Sequence, residues 1–215
     1  MRNYLTECIG TFFLVLAVGL STQQGPILAS FAPIAIGASL MIMVYMGGHI
    51  SGGHYNPSVT LAVWLRGKLP AREVIPYWIS QVVGAVLAAY VVYAVLGKTY
   101  ALAPGAGVGA GTAVLIEAVY AFALSIVVLN TATSPATAGN SYYGLAIGFT
   151  IVVAAFCGGG ISGGAFNPAV GTGPAIVSAI TGIGTGLAGL WIYIIGPLLG
   201  GAAAAGVYRL QNPPE

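Results

Sequence analysis

Six long apolar runs, each separated from the next by a short polar or glycine-rich stretch, make up most of the chain. They lie at roughly 4–21, 33–48, 74–96, 113–130, 142–156 and 187–208. A bilayer core about 30 Å thick takes about 20 helical residues, so the pattern predicts six membrane-spanning helices. The interruptions differ in character. They are polar and Pro-containing at 22–32, basic at 66–72, glycine-rich at 97–111, polar but uncharged at 131–140 and Gly/Thr-rich at 181–186. Two shorter apolar runs, 59–65 and 169–178, follow the second and fifth spans. At 1.5 Å per residue, roughly ten residues cross about half of the core, so these two are read as half-helices.

The residues that open the half-helices are two copies of one motif. Ser51-Gly52-Gly53-His54-Tyr55-Asn56-Pro57-Ser58-Val59 is matched by Ser162-Gly163-Gly164-Ala165-Phe166-Asn167-Pro168-Ala169-Val170. Their separation, about half the chain, is what a duplication leaves. Asn is a good helix N-cap, and Pro suits the first helical position, where its missing N–H is not needed. The glycines before them permit irregular backbone, which is tolerated at membrane depth only where it lines a cavity or is buried in protein. Three full spans per half is an odd number, so the second half enters from the opposite side and the repeat is inverted. The predicted fold class is an all-α membrane protein with six transmembrane helices plus two re-entrant half-helices. It forms a single channel domain over 1–215, with inverted repeats over approximately 1–97 and 112–215.

Composition narrows the class further. Charged residues are 5 % of the chain and hydrophobic ones 58 %, with a mean hydropathy of +0.94. A soluble domain carries about 25 % charge, so this is a multi-pass membrane protein. The absence of Asp excludes an Asp-rich metal or phosphate site, and a net charge of +2 gives no reason to expect a nucleic-acid partner. No cofactor and no metal site is expected. Cys8 and Cys157 fall inside spans and read as packing residues. The first span begins within a few residues of Met1 and lacks a cleavage signal, so it reads as retained. Arg2, Arg66, Lys68, Arg72 and Arg209 fall on one side of this topology and Lys98 on the other. The positive-inside rule then puts both termini in the cytoplasm, with the chain in the plasma (inner) membrane.

Two further positions repeat. Glu7 in the first span and Glu117 in the fourth each precede their Asn-Pro by about fifty residues. A carboxylate inside a span costs about 2.5–3.5 kcal/mol on insertion scales, so each requires partners. The irregular loops offer N–H groups that Glu7 and Glu117 can accept. A proton relay is the alternative. His49 and His54 read as structural groups of the loop and the inner vestibule, with proton shuttling as the rival. Tyr45 and Tyr55 read as inner-mouth or packing residues. The pairs Gly182/Gly186 and Gly196/Gly200 fit close helix contacts.

With these residues the chain resembles the aquaporin (major intrinsic protein) family. The likeness covers nearly the whole sequence and includes Glu7 with Thr11-Phe12, both Asn-Pro motifs, Gln81 with Gly84-Ala85, Gly173-Pro174 and Gly196-Pro197. It implies one pore per subunit and a homotetramer in the lipid bilayer. By position it implies a pore midplane formed by Asn56, Pro57, Ser58, Asn167, Pro168 and Ala169. The carbonyls of Gly52, Gly53, His54, Gly163, Gly164 and Ala165 would form a ladder of acceptors. Ile36, Ala155, Gly164 and Val170 would form the outer selectivity constriction.

The departures from the family pattern set the functional expectation. Val170 stands where many members carry an arginine, Gly171 where the glycerol-conducting branch usually has an Asp, and Ser58 where the motif usually has Ala. The ring is apolar and uncharged, and its small residues imply a wider opening. The expected function is a passive channel for water and small neutral solutes such as glycerol, urea, ammonia or hydrogen peroxide. The two helix N-termini, each carrying about half a positive charge, would exclude cations. A secondary transporter using the same inverted-repeat site is the second reading, and a closed, structural protein the third. No Ser/His, paired-acid or metal-ligand arrangement supports an enzyme.

Overall fold

The computed structural model describes residues 1–184 and 186–213. Thr185, within the loop expected over 181–186, and Pro214 and Glu215, within the second repeat, lie outside them. The helices are α1 (Arg2–Gln23), α2 (Pro26–Ser51), α3 (Pro57–Leu65), α4 (Ala71–Leu96), α5 (Ala110–Val128), α6 (Tyr143–Ser162), α7 (Pro168–Thr181) and α8 (Leu190–Gln211). A π-helical turn (Leu129–Thr133) and a 3-10 turn (Pro135–Thr137) follow α5, and no strand occurs among the described residues. Six of the elements, α1, α2, α4, α5 with its π turn, α6 and α8, are long and apolar enough to cross a membrane. The other two, α3 and α7, are the short helices that follow the Asn-Pro motifs.

Several boundaries differ from the sequence reading. The loop expected over 22–32 shrinks to residues 24 and 25. Gly25, at φ 119°, turns the chain there, and Pro26 takes the first turn of α2, so Pro33 lies inside the helix. Helix α6 runs six residues past the expected end at 156, to Ser162. Gly158 within this extension is a packing position, since a Cβ on it would come within 3.0 Å of Ile116, Tyr120 and Phe166. Helix α8 begins at Leu190 instead of 187. Gly182 caps the end of α7 at φ 69°, with nothing near its Cβ position, and Gly186 meets Ala179 of α7 only at an ordinary 3.7 Å, so the pair makes no close helix–helix approach.

Backbone-to-backbone approach holds the bundle together. The closely packed pairs are α1 with α4, α5 with α8, α1 with α2, and α2 with α6. A Cβ on Gly84 of α4 would lie 2.2 Å from the carbonyl of Cys8, and one on Gly200 of α8 would lie 2.2 Å from that of Ala118. In lipid, helices associate through such close van der Waals contact. Gly84→Val is therefore expected to destabilise the protein by about 3 kcal/mol or more, through overpacking against a backbone that cannot give way. Gly206→Ala, in open space, is the matched control and is expected to be neutral or mildly stabilising. Thermal unfolding in detergent checks both, and equal unfolding temperatures for the two variants would refute the packing argument.

Most of the basic groups gather at one end of the bundle. Arg66, at the end of α3, donates to Tyr208 Oη at 3.1 Å, and Arg209 donates to the carbonyl of Leu65, tying α3 to α8. At the start of α4, Arg72 approaches Glu73 at 3.8 Å, and Glu73 accepts from Tyr4 Oη at 2.8 Å. Lys98 follows the opposite end of α4.

Candidate functional site

The two short helices begin in the same way. Asn56, extended at φ −157°, accepts from the N–H of Ser58 through Oδ1 at 2.8 Å. Asn167, at φ −160°, accepts from Ala169 at 2.9 Å. Each is an N-cap with Pro in the first turn. The residue before each cap is unusual: Tyr55 sits at φ 48° and Phe166 at φ 51°. A left-handed conformation costs a side-chain-bearing residue about 1–2 kcal/mol, so the surroundings must hold it.

They hold it from both sides. The N–H of Tyr55 donates to Glu7 Oε2 at 2.7 Å and that of Phe166 to Glu117 Oε2 at 2.5 Å. On the other side, Asn167 Nδ2 donates to the carbonyl of Tyr55 at 2.9 Å, and Asn56 Nδ2 to that of Phe166 at 3.0 Å. The two helix N-termini therefore meet and clamp each other. A side-chain amide carries two N–H donors. One of each is engaged across the contact, and the other remains for whatever occupies the adjacent space.

Each loop is fixed further back by the same set of groups. Glu7 also accepts from Ser51 Oγ at 2.6 Å, the N–H of His54 at 2.9 Å and Gln81 Nε2 at 2.8 Å. Glu117 accepts from Ser162 Oγ at 2.7 Å and the N–H of Ala165 at 2.9 Å. Tyr77 Oη donates to the carbonyl of Ser51 at 2.8 Å, and Tyr193 Oη to that of Ser162 at 2.6 Å. Both carboxylates are fully buried. Among the side chains that donate to the carboxylates the halves differ at one position: α4 supplies Gln81 where α8 supplies Pro197, so Glu7 has a fourth donor that Glu117 lacks.

A narrow passage runs past these motifs. Its walls come in repeat-related pairs: Leu14 and Leu124, Val18 and Val128, Ile36 and Ile147, Leu40 and Ile151, Val59 and Val170, Gly53 and Gly164, Asn56 and Asn167, His54 and Ala165. Ala155 and Phe166 complete it. Aliphatic side chains form most of the wall, and the polar groups come from the two motifs. The space open to a water centre is about 30 Å³. A water needs about 10–15 Å³ on that measure, so the passage takes waters a few at a time. Aliphatic side chains of α1, α2, α5 and α6 share the wall with the small ring residues.

The residues singled out from the sequence are distributed as follows. Ile36, Ala155, Gly164 and Val170 all line the passage, as do Asn56 and Asn167. Of the six ladder positions, Gly53, His54, Gly164 and Ala165 line it. Gly52 faces two clefts at the basic end instead. A Cβ on Gly163 would meet Ala103 and Tyr193, so that glycine packs against protein. Pro57, Ser58, Pro168 and Ala169 are buried behind the passage and not on its wall. The Ser58 hydroxyl, expected near the midplane, donates to the carbonyl of Pro197 at 2.6 Å, where Gly201 leaves room for it.

His54 lies where the passage meets the cleft at the basic end and lines both. Its Nδ1 shares a hydrogen bond with Thr60 Oγ1 at 3.1 Å. Exposed His49 and Lys68 line the wider cleft beside it. Tyr45 holds the loop before α6, donating to the carbonyl of Ser141 at 3.0 Å, while Tyr55 is wholly buried. Among the described residues no group of His, Cys, Asp or Glu is arranged to hold a metal.

Sequence reasoning missed the crossed asparagine bonds, the left-handed Tyr55 and Phe166, and the tyrosines that hold the loop starts. The last had a signal. Tyr77 and Gly84 in α4 are seven residues apart, as are Tyr193 and Gly200 in α8.

Comparison with known proteins follows this geometry. The profile of the family described as Major intrinsic protein matches residues 1–208. A probable aquaporin NIP-type from Nicotiana alata is 34 % identical over 98 % of this chain and 77 % of its own. The glycerol uptake facilitator protein-like 6 of Lactiplantibacillus plantarum is 35 % identical, covering 100 % of both chains. The X-ray structure of the aquaglyceroporin from Plasmodium falciparum superposes with a TM-score of 0.87 over 99 % of this chain and 97 % of that one. At 18 % identity it speaks for the fold alone.

Proposed function

The chain belongs to the major intrinsic protein family, and from that premise we propose which solutes it passes and which residues select them. It is an integral multi-pass membrane protein, a passive channel for water and small solutes, and not an enzyme. Beyond that, our reading is a channel for water plus small neutral solutes of the glycerol, urea, ammonia or hydrogen peroxide class. A relative similar along its whole length is described as a glycerol uptake facilitator-like protein. The observation that carries the reading is the wall of the passage: Ile36, Ala155, Gly164 and Val170 present no charge and no polar side chain beside the asparagine pair.

In this reading a solute hydroxyl or water donates to the loop carbonyls of Gly53, His54, Gly164 and Ala165 and accepts the remaining N–H of Asn56 or Asn167. Aliphatic side chains opposite them tolerate the carbon skeleton of a small polyol. Two helix N-termini at the same point, each about half a positive charge, disfavour cations and interrupt a hydrogen-bonded proton path. Glu7 and Glu117 brace the loops. The chain acts as a single channel domain of two inverted repeats, approximately 1–97 and 112–215. It assembles as a homotetramer in the plasma (inner) membrane, with the basic end and both termini cytoplasmic.

The test is stopped-flow light scattering on proteoliposomes under water, glycerol and sorbitol gradients. Water and glycerol fluxes above empty vesicles, no sorbitol flux, and no response to an imposed sodium or proton gradient are expected. A steep dependence on either gradient would instead establish the transporter reading, and glycerol flux equal to that of empty vesicles would remove the polyol class.

A further inference from the structure

We infer that a cleft at the basic end, between Arg66 and Arg209, binds the phosphate of an anionic membrane lipid. The cleft has a volume of about 810 Å³, and Arg66, Ser134, Tyr208, Arg209 and Asn212 line it. These side chains offer two guanidinium groups, two hydroxyls and an amide. No carboxylate lines it among the described residues.

Among the described residues the guanidinium groups are positioned but not neutralised. Arg66 lies over the Tyr208 ring, with Cζ 4.6 Å from its centroid. Its Nη2 donates to two uncharged acceptors, Tyr208 Oη at 3.1 Å and the carbonyl of Thr133 at 3.4 Å. Its Nε is buried with no acceptor among the described residues. Arg209 donates to another carbonyl, that of Leu65. A guanidinium carries five N–H donors in a planar fork that matches phosphate. Two forks on one cleft, held by neutral acceptors only, suit a bidentate anion.

Location favours a lipid over free phosphate. Arg209 lies in the last turn of α8, a 22-residue spanning helix about 33 Å long. That exceeds a hydrocarbon core of about 30 Å, so its last turn emerges among the headgroups. The next residue, Leu210, is 83 % exposed and gives an acyl chain an apolar surface directly beside the charge.

Native mass spectrometry of the detergent-solubilised protein tests this, with phosphatidylglycerol, phosphatidylcholine and inorganic phosphate as probes. The first phosphatidylglycerol is expected to bind on the order of tenfold more tightly than phosphatidylcholine. Arg209→Gln and Arg66→Gln should each remove most of that preference, and Arg209→Lys should restore it in part. Lys68→Gln, at the same end but outside the cleft, should keep it. Should Arg66→Gln fail to fold, Arg209→Gln decides alone. A preference that survives Arg209→Gln overturns the proposal. So does an equal loss in Lys68→Gln, which would mean a diffuse surface charge effect. Displacement of the lipid by millimolar inorganic phosphate would assign the cleft to free phosphate and overturn the lipid source.

Discussion

Glu7→Leu is expected to yield no monodisperse protein after detergent extraction, and Glu117→Leu little. Glu7 accepts four hydrogen bonds, from Ser51, His54, Tyr55 and Gln81, at a site without solvent access. A leucine accepts none. The Ser51 and Gln81 side chains can turn elsewhere, but the two backbone N–H groups cannot. Each buried, unpaired donor costs about 1–3 kcal/mol, and the left-handed Tyr55 loses the contact that holds it at a further ~1–2 kcal/mol. The sum reaches the lower half of a typical folding free energy of about 5–15 kcal/mol. Glu117→Leu strands the corresponding N–H groups of Ala165 and Phe166. Glu7→Gln keeps one acceptor oxygen and should fall between. Size-exclusion profiles and unfolding temperatures check this series. Normal folding of Glu7→Leu with loss of transport alone would overturn the bracing role in favour of the proton relay.

Much of the fold was legible because membrane insertion imposes a strong and local signal. Six apolar runs must be helices, since backbone groups in lipid have no other partner. Asn-Pro marks a helix start by the same local chemistry in both copies. What escaped was non-local. The crossed bonds from Asn56 to Phe166 and from Asn167 to Tyr55 join residues 110 and 112 apart, and nothing in either motif alone announces its partner. The partner of Ser58 escaped for the same reason, because its acceptor is Pro197 on α8. The fifth span reads as ending at 156, whereas the helix continues through Gly158, which serves as a packing notch. Most of the passage wall could not be read from its four ring residues, because it comes from other side chains on α1, α2, α5 and α6.

The two halves are alike in backbone and unlike in chemistry, and the differences cluster. Gln81, Thr60 and His54 form a connected polar group beside the first half-helix, through bonds of 3.0 and 3.1 Å. Their counterparts in the second half are Pro197, Gly171 and Ala165, which carry no polar side chain. Gly171 is required there, since a Cβ would lie 2.5 Å from Tyr193 Cβ. Of this group only His54 lines the passage, while Gln81 and Thr60 are fully buried behind it. The opposite half offers loop carbonyls against aliphatic side chains. In the proposed channel, selectivity that depends on charge is assigned to the paired helix N-termini, and selectivity by size to the aliphatic wall.

Val170→Arg tests that division most directly and has the largest expected effect on transport. Val170 is 3 % exposed and lines the passage within the first turn of α7. An arginine there adds a charge and five donors to a wall that has about 30 Å³ open to water centres. Water, which can accept from the new donors, is expected to lose less than about threefold in flux. Glycerol must find room for a carbon skeleton as well. Small changes in pocket fit commonly give about 10–200-fold discrimination, so its flux should fall by about tenfold or more. Val59→Arg is the repeat-related control. Its side chain faces the same passage from the other half, beside the polar group around His54, and it should reduce glycerol flux less. Stopped-flow light scattering on matched proteoliposomes measures all three proteins. A glycerol flux in Val170→Arg equal to wild type would mean that Ile36, Ala155, Gly164 and Val170 do not set solute size, and the filter would have to be sought among Leu14, Leu40, Leu124 and Ile151.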